Sequence, residues 1–189
     1  IGVLILMGCL IIFFSSLTFK RCMIWRDSIT LWNDVLRNYP KVSEAYNNRG
    51  LAYYTKGDIK QSLLDYNKAI EIDPRYYLAY RNRGNVYYDK GNIDLAISDY
   101  NRAIEINSNY ADAYYNLGTA YSLKGNVDEA IFNYSKSIAF DPDFAPAYNN
   151  RAILYYLNKE YDKAREDIYK ARMLGYKVHS KFIKDLKTN

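Results

Sequence analysis

Histidine is almost missing from this chain of 189 residues: the one copy, His179, stands near the C-terminal end. Cysteine occurs twice, as Cys9 and Cys22. Two thiols exclude a disulfide framework, and so few soft ligands exclude a cysteine- or histidine-rich metal site. No glycine-rich phosphate loop and no His-Glu-x-x-His pair is present. The residues therefore point away from an enzyme: no catalytic residues, no cofactor, no metal and no small-molecule substrate are expected. A basic face is lacking too. The net charge is +5, but residues 20–41 carry five basic and two acidic side chains and residues 159–189 carry nine and five. The stretch between, 42–158, has twelve basic and fourteen acidic residues, or −2. Cationic charge at the two ends, away from the middle, argues against nucleic acid as a partner.

What the chain has in abundance is tyrosine, 22 copies, and their order is periodic. Gly50, Gly84 and Gly118 are 34 residues apart (84 − 50 = 118 − 84 = 34), as are Tyr46, Tyr80, Tyr114 and Tyr148. Tyr53, Tyr87, Tyr121 and Tyr155 keep the same step, and so do Tyr66, Tyr100 and Tyr134, with Ile168 in the fourth place. A fixed period of this size marks a solenoid of stacked supersecondary units. Within the unit 77–110, Ala79, Tyr80, Gly84, Tyr87 and Tyr88 recur at helical spacing and predict a first helix, closed by Lys90-Gly91. Asn92 is expected to cap a second helix carrying Ile93, Ala96, Ile97, Tyr100, Ala103 and Ile104 on one stripe. Asp73-Pro74 and Asp141-Pro142 end the equivalent helices of neighbouring units, because proline lacks an amide hydrogen. Small Gly84 and Ala96 against large Tyr87 and Tyr100 is the pattern of interlocking helices.

These residues resemble the tetratricopeptide repeat, which shares the 34-residue period. The resemblance rests on Tyr80, Gly84, Tyr87, Ala96, Tyr100, Ala103 and the prolines, and it covers about residues 43–174. It implies an all-α fold, a right-handed superhelix of helix-turn-helix units. The expected organisation is a half-repeat helix over 20–42, full repeats at 43–76, 77–110 and 111–144, a degenerate fourth at 145–177, and a capping helix over 178–189. In the fourth unit Ala152 replaces the glycine, Lys159-Glu160 replaces Gly-Asn, and Arg165 and Arg172 replace isoleucines.

Residues 1–19 contain no charge and precede Lys20-Arg21. At 1.5 Å per residue they are long enough to cross a ~30 Å hydrocarbon core, so one transmembrane helix is expected ahead of the repeats. Trp25 with Lys20, Arg21 and Arg26 suits the interfacial zone. The junction Arg21-x-x-x-Trp25-x-Asp27, Leu31-Trp32 and Pro40 is similar to the segment between membrane helix and repeats in transmembrane O-mannosyltransferases and related polytopic proteins. That resemblance implies a membrane location with the repeats on the lumenal or periplasmic side. It also implies, as an alternative to a membrane-anchored scaffold, the recruiting arm of a glycosyltransferase whose catalytic part lies upstream.

First helices are expected to line a concave groove that takes a peptide or protein partner. Asn48, Asn82, Asn116 and Asn150 share one register there, and a carboxamide both donates to and accepts from an extended backbone. Similar asparagine ladders occur in the peptide-binding superhelix of O-GlcNAc transferase. Tyr54, Tyr88 and Tyr156, with Ser122 in the fourth place, form a second register of the wall, joined by Arg81, Asn85 and Tyr115. The family's carboxylate clamp is not reproduced: Arg81, Asn85 and Asn116 fit three of its places, but Pro146 and Asn150 stand where cations are needed.

Overall fold

The computed structural model describes residues 27–188, and among them the regular structure is ten α-helices with no strand. The chain divides between Pro74 and Arg75 into two compact units. The first holds α1 (Ser28–Asn38), α2 (Ser43–Thr55) and α3 (Ile59–Ile72). In the second, α4 (Tyr77–Asp89) pairs with α5 (Ile93–Ile106), α6 (Ala111–Leu123) with α7 (Val127–Phe140), and α8 (Ala145–Leu157) with α9 (Tyr161–Met173). Between pairs, α5 packs on α6 and α7 on α8, while α10 (Ser180–Thr188) packs on α9.

The interior of each pair follows from small residues facing a ring. Tyr100 and Tyr134 are buried, and a Cβ added at Gly84 would lie 2.7 Å from Tyr100 Cε1, or 2.9 Å from Tyr134 at Gly118. Only a residue without a side chain lets the rings lie flat against α4 and α6. In the fourth pair both partners change together: Ala152 and Ile168 are buried where the others have glycine and tyrosine. Between pairs, Ile97 and Ile104 of α5 pack with Leu117 and Ala120 of α6 into one apolar cluster.

Three aspartates inside these pairs are buried and ion-paired. Arg83 donates twice to Asp99, Nε to Oδ2 at 2.8 Å and Nη2 to Oδ1 at 2.7 Å. The same two-pronged bond joins Arg151 to Asp167 and, in the first unit, Arg49 to Asp65. Each guanidinium also lies near tyrosine faces, Arg83 at 5.6 Å from Tyr80 and 5.9 Å from Tyr87. The third pair omits both charges at once. Leu117 and Asn133 take the two places, are buried, and Asn133 Nδ2 donates to the Glu129 carbonyl. Asn133-Tyr134-Ser135 formally matches a glycosylation acceptor, and burial takes its Asn133 amide out of solvent.

Helix ends depart from expectation in one respect. Asn92 stands at the N-cap of α5 but makes no side-chain capping bond, whereas Asp58 Oδ1 accepts from the Gln61 amide and Asp27 Oδ2 from the Thr30 amide. After α8 the chain turns through Lys159 at φ 63°, the place that Gly57, Gly91 and Gly125 fill at φ 82°, 76° and 78°. A side chain there costs about 1–2 kcal/mol. Lys159→Gly is expected to raise the melting temperature by roughly 2–8 °C, at ~2–4 °C per kcal/mol for a chain of this size. Thermal melts of the two proteins check this, and an unchanged midpoint would refute it.

The terminal segment 178–189, expected as a solvating cap, follows the repeat more closely than a cap needs to. Ser180 lies 34 residues after Pro146, so α10 falls in the register of a first helix. Val178 and Leu186 are buried with Tyr148 and Ile168, and Arg165 Nη1 donates to the Leu186 carbonyl near the helix C-terminus.

Burial also moves phenol ionisation. Tyr110 is pushed up to about 12, chiefly by burial, and burial raises Tyr115 and Tyr134 as well. With the unfolded phenol near ~10, the Tyr110 contribution to stability is complete below that pH and is lost as pH rises through about 12. An alkaline titration followed by phenolate absorbance and helicity should show late tyrosines ionising together with unfolding above pH ~10. Complete ionisation near pH 10 with helicity intact would contradict it.

The membrane reading is corrected. Residues 1–19, and the anchor residues 20–26 after them, lie outside the described residues. Among the described residues no helix is long and apolar enough to cross a membrane. The longest have 14 residues, or ~21 Å at 1.5 Å per residue, against a core of ~30 Å. The single-span location is withdrawn, and with it the lumenal or periplasmic placement that the junction resemblance implied.

Candidate functional site

The first helices of the second unit place their polar residues together. Asn116 Nδ2 on α6 donates to Asn85 Oδ1 on α4 at 2.9 Å, and the same oxygen accepts from the Tyr100 hydroxyl at 2.9 Å. Asn150 Nδ2 on α8 donates to the Tyr115 hydroxyl of α6 at 3.1 Å, and Asn150 Oδ1 accepts from Asn149. Two links thus tie three consecutive first helices. Neither uses the full capacity of its amides: the Asn85 nitrogen and the Asn116 oxygen have no hydrogen-bond partner among the described residues.

Beside this ladder opens a cavity of about 290 Å³. Tyr88 of α4, Thr119, Ser122 and Leu123 of α6, and Asn150 and Ile153 of α8 line it, with Tyr134 and Leu154 behind them. The Tyr134 hydroxyl donates to Thr119 Oγ1 at 3.2 Å, which holds the ring at the cavity floor. A larger cavity of about 480 Å³ lies along α8 and α9 around Tyr148, Arg151, Tyr155 and Asp167. Its Arg151 is already bonded to Asp167 and Ser135, and Lys163 and Lys170 line it as well.

The other candidate residues are arranged differently. Asn82 is buried, and its Oδ1 accepts from Arg81 Nη1 at 3.0 Å. Arg81 itself reaches Asp112 at 3.6 Å, and its Nε is buried without a partner. Tyr156 meets Tyr161 and Phe182 edge-on, at 5.5 and 5.3 Å between ring centres. Asn48 and Tyr54 lie half-buried on α2 of the first unit, where Asn48 Oδ1 accepts from Asn47. Ser122 holds the register place of Tyr54, Tyr88 and Tyr156, whereas residue type and register alone missed Thr119, Leu123 and Ile153. Two of them are exposed aliphatic residues on first helices, which is a readable signal: Leu123 is 62% exposed and Ile153 40%.

Family profiles of the tetratricopeptide repeat match residues 50–91 and 84–125, then 111–144, then 133–166. The chain belongs to the tetratricopeptide-repeat family. A crystal structure of MamA is similar at 30% identity, covering 78% of this chain and 86% of MamA, with a TM-score of 0.69. MamA from Desulfovibrio magneticus RS-1 shares the fold at 19% identity, covering 82% and 90%, with a TM-score of 0.69. PilF of Pseudomonas aeruginosa does so at 19% identity, covering 85% and 72%, with a TM-score of 0.75. No curated protein matches. The resemblance of residues 21–40 to a glycosyltransferase junction finds no support in these comparisons, and residues 21–26 of it lie outside the described residues. The tetratricopeptide repeats stand as a protein-interaction scaffold.

Proposed function

We propose that this tetratricopeptide-repeat chain is a non-catalytic scaffold whose first helices α4, α6 and α8 hold an extended segment of a partner protein. The observation that carries this is the asparagine ladder across those helices, with amide groups left over beside an open cavity. An extended peptide presents alternating donors and acceptors, which such amides match. The repeat stretch carries net negative charge, so the scaffold reading excludes nucleic acid as the occupant of this wall.

A random peptide library displayed on phage and selected against the full chain supplies the probe. Asn116→Ala and Asn150→Ala should each lower affinity for the selected peptides roughly 3–10-fold, the worth of one hydrogen bond. Melting should shift by only a few degrees, because both side chains are half-buried. Affinity unchanged in both variants would refute the groove assignment.

A further inference from the structure

The cavity beside the ladder differs from an ordinary hydrogen-bonding wall in its chemistry, and that difference names its occupant. None of its lining residues is charged at neutral pH: the two tyrosines are phenols, and burial holds Tyr134 above the ordinary range. The one cation of the expected wall, Arg81, is turned to Asn82 and Asp112. A carboxylate or phosphate entering here would lose water and meet no counter-charge. Apolar groups, by contrast, stand ready. Leu123 and Ile153 are 62% and 40% exposed at the mouth, on facing helices α6 and α8, and Leu154 is buried behind them. At about 290 Å³ the space falls just short of the ~300–1,000 Å³ typical of small-molecule sites, so it suits one residue of a longer segment.

We infer that this cavity takes one large uncharged apolar side chain, of the leucine, methionine or phenylalanine kind, from an extended partner segment free of charge around that residue. The backbone on either side pairs with the unused amide groups of Asn85 and Asn116. The side chain packs against Leu123, Ile153 and Tyr88 while Thr119, Ser122 and Asn150 close the polar rim. This inference rests on the groove reading above and adds the class of segment that the groove selects.

The same selection tests it, with readouts that separate the two ideas. Selected peptides should share one large apolar residue with uncharged neighbours. Replacing that residue by glutamate in the peptide should weaken binding to the native chain at least 100-fold in fluorescence anisotropy. Leu123→Ser and Ile153→Ser should each weaken it about tenfold, and because both residues are exposed, helicity and melting should stay as in the native chain. Selected peptides rich in acidic residues, or bound through a terminal carboxylate, yet weakened by Asn116→Ala, would overturn this inference and leave the groove standing. Peptides indifferent to Asn116→Ala and Asn150→Ala would overturn the groove reading beneath it. A library yielding no binder would overturn both.

Discussion

Asp99→Ala should destabilise the protein by about 3 kcal/mol or more, the cost of stranding a buried partner of an ion pair. Arg83 Nε and Nη2 both end on Asp99, and only 19% of its side chain is exposed, so removing the carboxylate leaves two buried donors facing a void. At ~2–4 °C per kcal/mol this is a fall of roughly 6–12 °C in melting temperature. The informative comparison is the double variant Arg83→Leu with Asp99→Asn, which copies the residues of the third pair. Leu117 and Asn133 are buried there without charge, so the repeat framework already accommodates this solution. The double variant should melt within a few degrees of the native chain, since an apolar replacement of a buried pair is often neutral. If it melts as low as Asp99→Ala, the paired charges contribute more than their own compensation.

Gly84→Ala should cost about 1–3 kcal/mol, the usual range for overpacking a core. The added carbon would lie 2.7 Å from Tyr100 Cε1, and the ring cannot swing away freely because its hydroxyl is bonded to Asn85 Oδ1. Displacing the ring therefore also disturbs the acceptor shared with Asn116, and peptide affinity should fall along with stability. Adding Tyr100→Ile reproduces the fourth pair, Ala152 against Ile168. Melting should recover by at least half, while affinity should not, because the hydroxyl that orients Asn85 is gone. Recovery of both would show that Tyr100 has no part in placing the ladder.

The 34-residue spacing of Gly50, Gly84 and Gly118, with tyrosines in fixed places, was enough to define paired helices and their facing residues. Spacing determines this because a glycine and a ring sixteen residues apart must meet wherever two helices of this length fold back on each other. The aspartates were legible by the same rule, at 65, 99 and 167 opposite arginines at 49, 83 and 151, but aspartate is a surface residue by type and its register passes for solvent. Only the packed pair makes it interior.

The asparagines divide for another reason. Asn82 and Asn116 hold equal positions in their repeats, yet Asn82 is buried beneath Arg81, which also reaches Asp112. In the next repeat Tyr115 precedes Asn116, turns its hydroxyl to Asn150, and leaves Asn116 to meet Asn85. Nor could composition foretell the uncharged cavity, whose lining comes from four helices. The sequence by itself determined the repeat, the helix pairs and the small-against-large interior, because periodicity dictates which residues share a face. The tertiary structure decided which face residues remain available to a partner, because that depends on what each neighbour on the next helix already binds.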